Sequence, residues 1–383
     1  LLRLGRRCAR GPLAEWLWAD MRAQLPGVGL ALMALLLALA ANVGVGTMVK
    51  SFRVTFVGWL DQRLVSELYV TARDDDQGAR MAAWLAPRVD AVLPIRAVDF
   101  TVLGGPVTVY GVVDHPTYRD SWPLLQQSPG AWDAVNAGRA VFINEQLARR
   151  ADLWPGDRVQ LAPGWALPVA GVYSDYGNPT GQAIVAMPAL LAHARDVPNR
   201  RFGLRLPPDR VPALMRALRA EFDLPASALI DNAGLKAQSL AVFDKTFVVT
   251  GALNLLTLGV AGFAILTSLL TLWSLRLPQI APVWALGLTR GHLARLEIWR
   301  SLLLAALTAA LALPLGLALA WVLLKVINVQ AFGWELPMVL FPADWLRLVA
   351  LALLAAGLAA ALPARRLYRL PPAELLKVFA NAR

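Results

Sequence analysis

The stretch Thr246–Leu275, TFVVTGALNLLTLGVAGFAILTSLLTLWSL, holds thirty residues and not one charge. A hydrocarbon core about 30 Å thick needs about 20 apolar residues in a helix, so this run predicts a transmembrane helix with length to spare for tilt. Its polar members, such as Thr250, Asn254, Thr257 and Ser268, are all uncharged. Arg276 closes the run and opens a compact basic segment that ends at Arg300. Upstream lies a long segment of soluble character, and downstream come two more apolar runs.

Composition agrees with that reading. Of 383 residues, 57% are hydrophobic and 16% charged, and the mean hydropathy is +0.51. Soluble domains are about 45–50% apolar and about 25% charged, so the predicted class is a membrane protein. The single cysteine, Cys8, excludes an intramolecular disulfide framework. His115, His193 and His292 lie far apart in the chain, and neither a metal site nor a cofactor is expected. The arginine-rich lead Leu1–Arg10 lacks the form of a signal peptide, and the chain reads as a piece, or a processed form, of something longer.

Taken in order, residues 1–24 are basic and amphipathic, with Leu13, Trp16, Leu17 and Met21 at helical spacing. They predict a cytoplasmic helix lying at headgroup depth or, equally, an ordinary exposed lead-in. Residues 25–49 are the first predicted span, with Pro26 where a helix can start and Gly44 and Gly46 suited to close packing. Residues 50–245 carry 21 basic and 20 acidic side chains and read as a soluble domain. Short strands (Glu67–Ala72, Pro106–Val113, Gly138–Ile143, Asp157–Leu161, Leu167–Tyr173) alternate irregularly with helices (Ala79–Val89, Asn144–Ala151, Pro212–Glu221). That mixture predicts an α+β domain, and the helical stretches 51–66 and 233–244 would join it to the spans. Residues 246–275, 301–324 and 345–364 are spans two to four; 276–300 is a loop, 325–344 a connection and 365–383 a basic tail. Pro314 predicts a kink in the third span, and Trp334 and Trp345 suit interface depth. The predicted fold class is therefore an α-helical membrane protein with four transmembrane helices and a large α+β extracytoplasmic domain inserted between helices 1 and 2.

Charge sets an expected orientation. The lead carries a net +3, the 276–300 loop +3 and the tail +4, against +11 for the whole chain. Placing these three pieces in the cytoplasm satisfies the positive-inside rule with four spans. The basic balance is then a topology signal, so nucleic acid is not an expected partner. The 50–245 domain and the 325–344 connection face outward, as expected for a multi-pass protein of the bacterial inner membrane.

Searches for chemistry return little. The chain has no G-x-x-x-x-G-K-[ST] phosphate loop, no G-x-S-x-G elbow and no H-E-x-x-H pair, so no catalytic residue is assigned. Asp74-Asp75-Asp76 lacks the spacing of a calcium loop and reads as a solvated turn. His115, before Pro116, reads as structural, and Gly156-Asp157 as a turn. The 276–300 loop says more. Ile280–Leu286 predicts a short helix ended by Gly287 in a left-handed conformation, with Thr289 capping the next helix. Helix, tight turn, helix at a membrane face places Arg290, Arg295 and Arg300 near headgroups or a partner.

The series Ala285-Leu286-Gly287-Leu288-Thr289-Arg290, then Leu296-Glu297 and the apolar run with Gly316, resembles the FtsX/MacB-type ABC transporter permease family. Arg276, Ile280 and Ala281 fall in the register of its R-x-x-E-I-A-x-L-R-A-L-G stretch. Pro363-Ala364-Arg365-Arg366 and Pro372-Ala373-Glu374-Leu375-Leu376 are similar to its closing pattern, and 138–171 to its periplasmic domain. Ile327-Asn328, with Ala331-Phe332-Gly333-Trp334, resembles the C-terminal half of a long two-repeat permease. Departures are Gln279 for Glu, Val283 for Leu and Trp284 for Arg, while Pro282 lacks a backbone donor. The resemblance implies a permease that is not itself an enzyme. It couples ATP hydrolysis by a separate ABC ATPase dimer to movement of the outward domain, for export or extraction of a hydrophobic or lipid-linked substrate. The alternative it implies is a mechanotransmitting regulator of an extracytoplasmic hydrolase. Implied partners are the ATPase dimer, a second permease half or a homodimer mate, an extracytoplasmic protein, and membrane lipids. The implied ATPase-coupling residues are Gln279, Ile280, Trp284, Leu286, Gly287, Thr289, Arg290 and Glu297.

Overall fold

A computed structural model describes residues 12–176, 178–271, 281–369 and 371. In chain order it runs α1 (Pro12–Arg63), β1 (Leu68–Thr71), α2 (Asp75–Leu85), β2 (Ala91–Val102), β3 (Gly105–Val112), α3 (Pro116–Ser121) and β4 (Leu124–Gln127). Next come α4 (Ala131–Asn136), β5 (Val141–Asn144), α5 (Glu145–Ala151), β6 (Arg158–Ala162), β7 (Trp165–Tyr173), β8 (Gly181–Ala186) and α6 (Met187–His193). The remainder is β9 (Arg201–Arg205), α7 (Val211–Phe222), β10 (Leu229–Asp231), α8 (Asn232–Thr271), α9 (Arg290–Val322), α10 (Asn328–Phe332) and α11 (Pro342–Arg369). Two compact units result. Leu1–Ser51, Thr246–Leu324 and Met338–Arg383 form one; Phe52–Lys245 and Lys325–Pro337 form the other.

The described part of the first unit is helical, and among the described residues four helices are long and apolar enough to cross a membrane. Its core is aliphatic: Leu35 and Leu39 of α1, Leu258 and Ile265 of α8, Ala305 and Ala309 of α9, Ala352 and Ala356 of α11. The described part of the lead, from Pro12, is not a separate surface helix. Residues 12–24 are the first part of α1, with Met21 fully buried in the core and Pro26 inside the helix rather than at its start. Proline there forgoes one backbone bond, which a long helix packed on its neighbours tolerates.

Close approach between α1 and α9 depends on two glycines. A Cβ on Gly316 would sit 2.7 Å from Val43 Cβ and 2.8 Å from the Ala40 carbonyl; one on Gly44 would meet Leu319 at 2.8 Å. Gly46, which the sequence offered equally, has open space where its Cβ would be. Gly316→Val is expected to cost about 1–3 kcal/mol through overpacking against backbone, and Gly46→Ala close to nothing. Unfolding in a detergent titration distinguishes them, and equal midpoints for the two variants would refute this crossing. Beside it, Asn42 Nδ2 donates to Thr257 Oγ1 at 3.0 Å, joining α1 to α8.

The second unit is an α+β domain on a ten-stranded sheet, ordered β10-β1-β9-β2-β3-β8-β5-β7-β4, with β6 paired to β7. Long β2 binds it together: 91–95 pair with β9 and 96–102 with β3. One lobe is β1-α2-β2, then β9-α7-β10, with Met81, Leu85 and Leu218 packed on Leu68, Phe202 and Leu204. The other, inserted between β2 and β9, has parallel pairs β3–β8 and β5–β7 around Val107, Val141, Ile143 and Val169.

The aspartate run is a helix start rather than a solvated turn. Asp74 accepts from Gln77 N at 2.7 Å as the N-cap of α2, and Asp75 and Asp76 occupy its first turn, where the helix dipole favours carboxylates. The Arg200 guanidinium, 2.7 Å from Asp75, holds that carboxyl below its usual range. His115 caps α3 by accepting from Thr117 N, and Gly156 takes a positive φ of 106° in its turn.

The connection after α9 also departs from expectation. Pro314 lies inside α9, while the widened turn falls later, at Leu323–Ile327, and α10 carries helix on to Phe332. Gly333 ends it at φ 74°, and Asn328 Nδ2 donates to the Trp334 carbonyl at 2.6 Å. Trp334 is 4% exposed, with Phe52, Tyr176 and Phe332 around it. It is a core aromatic of the α+β unit, not an interface residue, because neighbouring rings offer it a complete apolar pocket. Glu335 beside it pairs with Lys325, which lowers its pKa, and accepts from Arg149 Nη2 at 3.0 Å.

Candidate functional site

Residues 281–285 form a short helix, after which the chain turns and enters α9. Leu286 N donates to the Pro282 carbonyl at 3.1 Å and Gly287 N to the Trp284 carbonyl at 2.9 Å, closing the last turn. Gly287 then adopts φ 102°, a conformation that costs an L side chain energy and glycine none. Thr289 is the N-cap of α9, accepting from His292 N at 3.3 Å, and its Oγ1 lies 2.7 Å from His292 Nδ1. Local chemistry thus suffices to build helix, left-handed turn and capped helix.

What the elbow packs on needs the tertiary fold. Trp284, Val283 and Leu288 lie half-buried against Leu293 of α9 and Leu367 of α11. Tyr368 lies against Gly291, where a Cβ would come within 3.7 Å of its ring. The turn is seated on a small apolar base, and Leu286 projects from it with 84% of its surface exposed.

Glu297 belongs to a different place. It is 6% exposed and turned into the bundle, where it accepts from Arg300 Nη2. Arg300, 2% exposed, also donates through Nη1 to Asp20 Oδ2 at 3.2 Å and to Gln24 Oε1, and Gln24 Nε2 donates back to Asp20 at 2.7 Å. One guanidinium therefore joins two carboxylates and an amide across α1 and α9. Charges this deep are tolerated only when paired and hydrogen-bonded.

The structure gathers Trp284, Leu286, Gly287, Thr289 and Arg290 on the elbow and sets Glu297 apart in the buried network. Gln279 and Ile280 lie outside the described residues, as does the tail pattern from Pro372. Sequence reasoning missed Asp20, Gln24 and Arg300 as one cluster, and Leu367 and Tyr368 as the elbow's seat. The available signal was Glu297 and Arg300 three residues apart, on one helical face, at the mouth of an apolar run.

Comparison with known proteins fits these features. The family model described as "MacB-like periplasmic core domain" matches residues 28–221, just over half of the chain, and "FtsX-like permease C-terminal" matches 251–372. An uncharacterised ABC transporter permease protein of Mycobacterium tuberculosis is 28% identical over 393 residues, covering 97% of this chain and 46% of its own length. The chain thus spans about half the length of the curated relative it matches. The solved periplasmic region of MacB from Actinobacillus actinomycetemcomitans aligns at 13% identity and TM-score 0.33, over 45% of this chain and 90% of that one. The extracellular domain of the noncanonic ABC-type transporter YknZ from Gram-positive bacteria aligns at 15% and 0.31, over 43% and 97%. With a MacB-like core over its first half and an FtsX-like permease region after it, this multi-pass membrane protein belongs to the FtsX/MacB-type ABC transporter permeases.

Proposed function

We propose that the chain is a permease subunit whose elbow, at 281–289, receives the stroke of a separate ABC ATPase and passes it to the α+β domain. The observation that carries this reading is Leu286, exposed on a glycine turn whose base is packed on α9 and α11. The lead, the 276–300 loop and the tail face the cytoplasm of the inner membrane, in keeping with their positive charge. The α+β domain, inserted between the first and second spans, faces outward. A second permease half, or a second copy of this chain, completes the pair that an ATPase dimer requires; the greater length of the mycobacterial relative supports the first arrangement.

Two levers carry the motion. Helix α1, of 52 residues, and α8, of 40, are about 78 Å and 60 Å long at 1.5 Å per residue. Both enter the α+β unit together: Lys236 of α8 pairs with Asp61 of α1, and Asn232 Nδ2 donates to the Leu64 carbonyl at 2.5 Å. ATP binding must favour one lever arrangement over another, since a ligand shifts an equilibrium only by its differential affinity. The cargo is hydrophobic or lipid-linked and is exported or extracted at the outer face.

Burying Leu286 in a partner groove contributes about 1.5–3 kcal/mol, a tenfold to hundredfold gain in affinity. Leu286→Asp forgoes that gain and adds a carboxylate to be desolvated. Full chain in nanodiscs, titrated with its phosphate-loop ATPase, should bind the variant at least tenfold more weakly and stimulate hydrolysis less. Unchanged binding by Leu286→Asp would refute the elbow as the docking point.

A further inference from the structure

A groove of about 320 Å³ lies within the α+β unit, on a sheet face reached from β1, β2, β3, β8, β9 and β10. Its volume is at the small end of the roughly 300–1,000 Å³ usual for small-molecule sites, which suits one chain rather than several. The floor is apolar, with Ile95, Val112 and Ile184 among its side chains, and Ile230 and Leu235 are exposed along its edge.

The charge of the lining is one-sided, while its phenols, Tyr69, Tyr110 and Tyr118, are neutral. No carboxylate lines the groove, whereas Arg63 and Arg201 both do. Arg201 is exposed and pairs with no carboxylate among the described residues. Arg63 is only partly neutralised: it donates to the neutral Gln182 Oε1 at 3.1 Å, and its nearest carboxylate, Asp175, is 3.9 Å away. Its guanidinium lies 4.5 Å over the Trp122 ring, a cation–π seat that fixes its position. Cationic side chains and no carboxylate, beside an apolar floor, ask for a ligand that brings an anionic head and a hydrocarbon tail.

We propose that this groove binds a single-chain amphiphile with an anionic head, a carboxylate or a phosphate, its tail on the floor and its head taken by the groove's arginines. This gives the substrate side of the permease reading a site, and it rests on that reading only for the ligand's being cargo. The groove recognises an anionic chain whether or not the elbow couples to an ATPase.

The test uses full-length chain in nanodiscs, without ATP or ATPase, and dodecanoate bearing a diazirine at its tail end. After photolysis, peptide mapping should find label on 110–112, 132, 184 and 230–235. Unlabelled dodecanoate or dodecyl phosphate should compete, the stronger of the two identifying the head, and dodecanol should compete at least fivefold more weakly. Arg201→Glu and Leu235→Glu change exposed side chains, so the fold is retained, and each should cut labelling at least fivefold. Label confined to the membrane helices, labelling unchanged in both variants, or equal competition by dodecanol would overturn the site. Because no ATPase is present, such a failure leaves the elbow reading standing, and unchanged ATPase binding by Leu286→Asp, which refutes the elbow, leaves this one standing.

Discussion

Gly287→Val should leave the chain inserted and folded while lowering ATPase-coupled activity by roughly tenfold or more. Gly287 sits at φ 102°, outside the region any β-branched residue adopts without strain, and a Cβ there would meet nothing within 4 Å. The penalty is thus conformational and not steric crowding, roughly 1–3 kcal/mol for holding valine in that geometry. The turn has a cheaper escape: it can unwind, swinging Leu286 off its base of Trp284, Leu288 and Leu293. The core of the bundle is untouched, so unfolding midpoints should move by less than the coupling ratio implies. The measurement is ATP hydrolysis per transport or extraction event in reconstituted membranes, with Gly287→Ala as an intermediate case. Valine and glycine giving the same ratio would mean that the turn's conformation is not used. Asn at 287, which tolerates positive φ better than most residues, should recover part of the loss.

Much of this protein is legible because its signals are local. Runs of 24 to 30 uncharged residues can hardly be anything but spans, and Leu286-Gly287 followed by Thr289 carries a helix stop and a helix start within four residues. The unread parts depend on partners far away in the chain. Strand β2 contains Pro94 and Arg96, which break the alternation that marks a strand, and it persists because β9 and β3 each pair with half of it. Strand β8, GQAIVA, is a short buried run with no period to read. Trp334 has the composition of an interface anchor, and only Phe52 and Tyr176 reveal it as core. The elbow's turn was therefore readable, but its seat on Leu367 was not, being separated from it by the third span, the connection and the fourth span.

The same distance hid the charge cluster around Arg300, whose removal should have the largest effect on stability. Arg300→Leu takes away the group that joins Asp20 and Glu297, leaving two carboxylates in a buried site without the guanidinium that compensates them. Breaking one side of a buried ion pair costs about 3–5 kcal/mol, because the remaining charge cannot return to water. Arg300→Lys should cost less but still more than a surface change, since an ammonium is a point charge and cannot reproduce the guanidinium's fork to Asp20, Gln24 and Glu297. The decisive variant removes all three charges together, Asp20→Asn, Glu297→Gln and Arg300→Met. If the penalty is one of uncompensated charge, this triple variant should regain most of the stability that Arg300→Leu loses. If instead the arginine's packing matters, the triple variant will be no better than the single one. Unfolding of the chain in a graded detergent titration measures both, and a loss under about 1 kcal/mol for Arg300→Leu would mean that water or lipid headgroups reach the cluster. The outcome also bears on transmission. Arg300 lies on α9 and Asp20 on α1, so under the proposed coupling their pair would tie the helix that leaves the elbow to the helix that begins the long lever. A triple variant that folds but hydrolyses ATP without coupling would assign the cluster to transmission, with stability as its secondary effect.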